Sequence, residues 1–292
     1  MKQSNRARSM LIASMVIFGT LGPFVRSIPL PSAELALYRA VLALVMIGGY
    51  LMITKQRIPF RTIGKELPLL LFSGIAMGIN WVLLFEAYQY TTVSAATLSY
   101  YFAPVLVTIA CPFLFRERLG ARQIICFVMS TVGLVLITGL SGDAGSSHLK
   151  GILFGLGAAV FYATVILLNK SIKKVAGIPR TFLQFLSSLV VLIPYVATTG
   201  GVHLSSMTSK GWICLLVVGL VHTGVTYCLY FSSLKELPGQ KAAILSYIDP
   251  LVAVLISVLF LRESMALPQI IGGLLILGFT LWNEAAPTKK ES

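Results

Sequence analysis

Charged side chains are scarce in this sequence. Asp, Glu, Lys and Arg make up 11% of its 292 residues, where a soluble domain carries about 25%. A soluble fold of this length needs a polar skin, and no stretch here is polar enough to supply one. Histidine occurs three times, at His148, His203 and His222, far apart in the chain, and neither HExxH nor GxGD is present. That argues against a metal site and against a metal-dependent intramembrane enzyme. The four cysteines, Cys111, Cys126, Cys214 and Cys228, all sit in apolar runs without a CxxC pair. Neither a zinc site nor a disulfide framework is indicated, and small buried thiols are the expectation. No GxxxxGK[ST] phosphate loop occurs, so ATP drive would require another subunit. No cofactor is called for.

What the sequence has in abundance is apolar surface: 57% of its residues are hydrophobic. The net charge of +13 does not point to nucleic acid, because the basic residues stand singly or in small groups between apolar runs. Lys2, Arg6 and Arg8 precede the first run, in the manner of a signal peptide. That run, however, contains Gly22-Pro23, ends at Arg26 without a small-x-small site, and is followed at once by further apolar runs. A retained first helix is expected. A crossing needs about 20 apolar residues, which gives ten spans at 9–28, 34–54, 67–89, 94–115, 120–140, 151–170, 181–199, 210–233, 240–261 and 267–285. Short connections such as Thr91-Thr92-Val93 imply antiparallel neighbours. With both termini on one side, only Arg26, Lys150, Lys210 and Arg262 fall on the other side. Arg39 lies within a span, and the remaining Lys and Arg share the side of the termini. The positive-inside rule makes that side cytoplasmic.

The chain also repeats itself. At a constant offset of 146 residues, Tyr101-Phe102-Ala103-Pro104, Arg116-Glu117 and Gln123-Ile124-Ile125 recur as Tyr247-Ile248-Asp249-Pro250, Arg262-Glu263 and Gln269-Ile270-Ile271. Gly78, Leu83, Phe85 and Ala96 match Gly224, Leu229, Phe231 and Ala242. The expected fold is thus an all-α integral membrane protein of ten transmembrane helices, arranged as two five-helix repeats at 1–145 and 146–292. Five is odd, so the second repeat enters the membrane from the opposite side. Inverted repeats are a transporter plan, with the cargo site at their interface and alternating access as the mechanism.

These features together resemble the EamA family of the drug/metabolite transporter superfamily. The likeness rests on the two five-helix halves, on Pro104 and Pro250 with Arg116-Glu117 and Arg262-Glu263 after them, and on Glu34…Tyr38-Arg39-Ala40 opening the second span. The first span departs from it, carrying Gly19-Thr20-Leu21-Gly22-Pro23 where many relatives have a tryptophan-centred motif. The resemblance implies a ten-helix bundle that exports or takes up amino acids, amines or other small metabolites, drug-like compounds among them.

An ionisable group inside a bilayer costs several kcal/mol unless it faces protein or water. Four are therefore candidates for charge recognition or proton coupling: Arg39, Glu86, His222 and Asp249. Asp249 precedes Pro250, and Pro104 and Pro250 are expected to break their helices and free backbone carbonyls. Glu86 is a vestibule carboxylate or a partner for Arg39. The expected cavity lining is Asn80, Trp81, Tyr100, Tyr101, His222, Thr226, Tyr227, Tyr230, Ser246, Tyr247 and Asp249. Trp81 pairs with Tyr227, and Tyr101 with Tyr247, at the same offset. An aromatic cage for an ammonium and plain packing are both open to the tyrosines. Gly74-x-x-x-Gly78 and Gly151-x-x-x-Gly155 read as close helix contacts.

The expected partners are the lipid bilayer, a small-molecule substrate and protons, in a monomer or homodimer in the plasma membrane; nucleic acid is not among them. Efflux by alternating access is the expected activity. A lipid or lipid-linked flippase is the alternative within transport, and an intramembrane enzyme the more distant one. Loops too short for a soluble binding domain argue against a receptor.

Overall fold

A computed structural model describes residues 2–56, 58, 63–115, 120–138, 146–175, 177–199, 201–234, 237 and 245–285. The described residues form helices and no strand. We number them α1 (Lys2–Gly19), α2 (Leu21–Arg26), α3 (Ser32–Ile53), α4 (Leu67–Tyr90), α5 (Val93–Tyr100) and α6 (Ala103–Phe115). These are followed by α7 (Ala121–Thr138), α8 (Ser146–Ser171), α9 (Gly177–Thr198), α10 (Ser209–Leu234), α11 (Ile248–Leu259) and α12 (Leu267–Glu284). Among the described residues, seven helical stretches are long and apolar enough to cross a membrane, α1 with α2 and α5 with part of α6 each counting as one. The segments 121–137, 248–259 and 267–283 are shorter apolar helices. Arg116-Glu117 and the first residues of the expected ninth span, 240–244, lie outside the described residues.

Local chemistry explains where the helices stop. The backbone turns extended at Thr91, and the Thr92 hydroxyl caps α5 by accepting the Ala95 N–H at 3.1 Å, satisfying one of the four orphan donors of a helix start. The fourth expected span is interrupted at Tyr101-Phe102, and α6 resumes with Pro104 in its first turn. Proline has no N–H to lose there. Pro250 occupies the first turn of α11 in the same way, after an interruption at Tyr247. The first expected span is interrupted at Thr20.

Packing follows the sequence repeat. Helix α4 lies on α8, and α10 lies on α1. Helix α9 lies on α4, and α3 lies on the middle of α10. Each second pair is the first pair shifted by 146 positions. Two contacts join elements to their own counterparts, α7 with α12 and α3 with α9, while α5 packs on α11, the counterpart of α6. On α3, Ala36, Ala40, Ala43 and Ile47 are all fully buried, a stripe at helical spacing whose small residues let neighbouring backbones approach. Between α7 and α12 the approach excludes any side chain: a Cβ on Gly133 would lie 2.6 Å from the Gly272 carbonyl oxygen. Gly74, Gly151 and Gly155 are likewise crowded, against Gln184 and Ser187, Thr91, and Ser99.

The outward surface is apolar. Val45 is 70% exposed and Leu274 66%, with Phe72, Leu153, Val190 and Leu255 also turned outward. A soluble protein rarely exposes so much contiguous apolar area, whereas hydrocarbon imposes no cost on it. Cys126, Cys214 and Cys228 are buried thiols.

Candidate functional site

A cavity of about 410 Å³ lies among α1, α3, α4, α5, α8, α9, α10 and α11, so both repeats contribute to its walls. The walls are strongly aromatic. Tyr227 of α10 meets Phe18 of α1 edge-on with ring centroids 5.3 Å apart, and Phe185 of α9 at 5.2 Å. Phe185 in turn meets Trp81 of α4 at 4.9 Å. Tyr100 contacts Tyr162 at 5.1 Å and Tyr101 at 5.7 Å. Edge-to-face contacts of this kind hold rings in fixed orientations, giving a firm apolar wall.

Among the described residues, three charged side chains reach this space. Asp249, in the first turn of α11, accepts a hydrogen bond from the Tyr101 hydroxyl at 2.5 Å, across the two interrupted spans. Arg39 of α3 is 3% exposed. Its Nε donates to Thr223 Oγ1 at 2.6 Å, and its guanidinium carbon lies 4.8 Å over the Trp81 ring and 5.4 Å over Phe85. Arg180, near the start of α9, donates from Nη1 to the Asn169 carbonyl at 3.3 Å. Beside it, Gln184 Nε2 donates to Asn169 Oδ1 at 2.7 Å and to Ser73 Oγ at 2.5 Å.

Of the residues expected from sequence, Asn80, Trp81, Tyr100, Tyr101, Tyr227, Tyr230, Ser246, Tyr247 and Asp249 line the cavity, as do Arg39 and Pro104. Asn80 spends an amide proton on the Ala158 carbonyl at 2.6 Å, tying α4 to α8. His222 and Thr226 are not among the lining residues. Both are buried on α10, where Val217–Val225 is a π-helix. Its wider turn leaves carbonyls for side chains five residues on: His222 Nδ1 sits 3.3 Å from Val217 O, Thr223 donates to Val218 O at 2.8 Å, and Thr226 to Val221 O at 2.7 Å. His222 Nε2 lies 3.0 Å from Thr20 Oγ1, at the interruption between α1 and α2. Glu86 lines a separate surface pocket with Arg26 and Gln89. Of the two roles open to Glu86, the pairing with Arg39 is not made. Pro250 lies at the start of α11 with Asp249, outside the lining.

Sequence reading missed Tyr88, Thr97, Tyr162, Asn169, Arg180 and Gln184, which also line the cavity. Asn169 and Gln184 were visible as amides inside apolar spans. Arg180 read as a loop charge, because it stands at the first turn of its helix.

The cavity is asymmetric along the bundle. At one end its lining runs to Asn169, Arg180 and Leu234, at the helix termini. At the other end, beyond Tyr88 and Thr97, stands a polar clamp. Glu263, which follows α11, pairs with Arg26 at the end of α2 and accepts from the Ser257 hydroxyl. It also accepts the Val93 N–H at 2.9 Å, at the start of α5. Arg26 donates further to the Tyr88 and Thr91 carbonyls, at 3.2 and 2.5 Å. Near that end Glu34, 2% exposed, accepts from the His203 backbone N–H at 2.9 Å and pairs with its ring. Among the described residues no group of histidine, cysteine and acidic side chains is arranged to hold a metal.

The model of the EamA-like transporter family matches residues 6–139 and again 149–283. The chain belongs to this family. Its relatives include the uncharacterized transporter YxxF of Bacillus subtilis, 32% identical over 277 residues, which cover 94% of this chain and 88% of the relative. An uncharacterized transporter of Archaeoglobus fulgidus is 29% identical over 279 residues, covering 94% and 95%. The uncharacterized inner membrane transporter YicL of Salmonella typhimurium is 27% identical over 220 residues, covering 72% and 70%. A crystal structure of a protein 17% identical in sequence superposes with a TM-score of 0.65, over 96% of this chain and 97% of that one. That likeness establishes a shared fold. This EamA-like chain is therefore a multi-pass membrane protein carrying two copies of the family repeat.

Proposed function

We propose that this EamA-like protein is a carrier that exports small metabolites across the plasma membrane by alternating access. The observation that carries the reading is the aromatic-walled cavity of about 410 Å³ to which both repeats contribute. Cavities of this size hold small molecules. The ten spans form two inverted halves, 1–145 and 146–292, with both termini cytoplasmic. The repeat offset and the recurrence of helix contacts at that offset support this arrangement. On it, the Arg26–Glu263 clamp faces outside and the Asn169–Arg180 end faces the cytoplasm, an inward-facing arrangement closed externally. Exchange of conformation between the halves would open the clamp and close the Arg180 end.

Asp249 carries the coupling proton. It is the one carboxylate among the described lining residues, and its Tyr101 partner can pass the proton onward. His222 has no such access, since its two ring nitrogens face Thr20 and Val217. The cargo is an amino acid or another small metabolite.

Flux in proteoliposomes holding the purified chain tests the reading. Labelled amino acids and amines are offered with and without a pH gradient. Saturable flux that responds to the gradient is the expected result. Absence of saturable flux for every compound removes the small-metabolite reading.

A further inference from the structure

Building on the carrier reading, we propose that the cargo bears a carboxylate and that Arg39 is the group that holds it. Amines and cationic drugs lacking an acid group are then disfavoured in this cavity.

The first observation is a buried cation with no acidic partner among the described residues. Arg39 is 97% buried, lines the cavity, and stands well inside its span. Among the described residues no carboxylate lies within ion-pair distance of it. Its hydrogen bonding there consists of the Nε bond to Thr223 Oγ1. A guanidinium has five N–H donors, so most of its capacity is unused by the described residues. An arginine at membrane depth costs several kcal/mol unless it faces water or a partner. Cation–π contacts with Trp81 and Phe85 offset part of that cost and hold the guanidinium plane against a wall. A fixed, planar fork with free donors is the geometry that binds a carboxylate through two parallel hydrogen bonds.

The second observation concerns the cavity as a whole. Its described lining contains two guanidiniums, Arg39 and Arg180, one carboxylate, Asp249, and no lysine, glutamate or histidine. Asp249 is engaged by Tyr101, whereas Arg180 Nε is buried with no hydrogen-bond partner among the described residues. The fixed charge of the site is therefore positive or, with Asp249 protonated, more so. A carboxylate is stabilised there and a lone ammonium is opposed. The tyrosine, tryptophan and phenylalanine walls accept an apolar or aromatic body behind the acid group. Zwitterions fit the scheme, with the amine toward Asp249.

The test compares probes of one shape and opposite charge. The full-length chain, purified in detergent, is titrated with 3-phenylpropionate and with 3-phenylpropylamine, following thermal stabilisation and tryptophan quenching. The acid is expected to bind at least about tenfold more tightly than the amine. Arg39→Gln should weaken acid binding by about tenfold to a hundredfold, the range for losing a hydrogen-bonded charge partner, and should not weaken amine binding, which the loss of a like charge favours. Arg39→Lys should fall between, since it keeps charge but loses the fork. If Arg39→Gln does not fold, the acid-to-amine ratio of the unmodified chain and of Arg39→Lys still decides. An amine that binds as well as the acid overturns the proposal. So does a preference that survives both substitutions, and so does a lack of binding by both probes. Uptake of labelled 3-phenylpropionate into proteoliposomes separates the two readings. Arg39-dependent binding without uptake refutes the carrier and leaves the anion site. Uptake of the amine without binding of the acid refutes the anion site and leaves the carrier.

Discussion

Replacing Glu263 by alanine should open the far end of the cavity. The carboxylate is 8% exposed and joins three segments. It pairs with Arg26 at the end of α2, caps α5 through the Val93 N–H, and accepts from Ser257 beyond the middle of α11. Loss of a helix cap costs about 1 kcal/mol. Loss of a hydrogen-bonded charge partner costs about 2 kcal/mol more. A change of about 3 kcal/mol in favour of the open form is about a 150-fold change in the ratio of closed to open. The assay is a thiol introduced as Thr97→Cys, in a chain whose native cysteines are replaced. Thr97 is 4% exposed and lines the cavity beside the clamp. A membrane-impermeant maleimide is added from outside, where labelling follows the open fraction. Thr97→Cys alone should label slowly, and the Glu263→Ala partner should label at least about tenfold faster. Glu263→Gln keeps a single acceptor oxygen in place of two and should fall between. An unchanged labelling rate in a chain that elutes and melts normally would refute the clamp as a gate.

Three further outcomes follow from the same contacts. Gly133→Ala should lower the melting temperature in detergent, because its Cβ would meet the Gly272 carbonyl oxygen at 2.6 Å, whereas Gly278→Ala, with open space around its Cβ, should not; overpacking costs about 1–3 kcal/mol. Asp249→Asn keeps a partner for Tyr101 but removes the titratable proton, so proteoliposome flux should lose its response to a pH gradient while cargo exchange at equal pH persists. His222→Gln should retain that pH response, since His222 stands off the cavity; loss of the response would place the coupling proton on α10.

Much of the molecule was legible in the chain because its determinants are local or periodic. Apolar runs separated by basic clusters follow from the hydrocarbon's intolerance of charge. The repeat at offset 146 was visible through Pro104, Pro250 and their flanking tyrosines, and the structure packs helices in the corresponding pairs. Asp249 and Tyr101 were both candidates, although nothing in the sequence showed that they bond to each other. Boundaries were less legible. The interruptions at Thr20, Tyr101 and Tyr247 divide what periodicity reads as single spans, and hydropathy does not register one unwound turn.

By itself the sequence determined that the chain dwells in a membrane, that it is helical, and that it is built twice from one plan. Composition and spacing suffice for these, because they concern the solvent and the chain's own period. Only the tertiary structure decided which polar groups meet. The π-turns of Val217–Val225 shift the register of α10, so that His222 and Thr226 bond within the helix wall while Tyr227 faces the cavity. Arg180 moves from an assumed loop to the cavity wall, since the first turn of α9 abuts the end of α8. Arg39 stands without an acidic neighbour among the described residues because Glu86 faces a different pocket. Such pairings depend on the rotation of one helix against another, and a single strand of sequence does not encode that rotation in any local pattern.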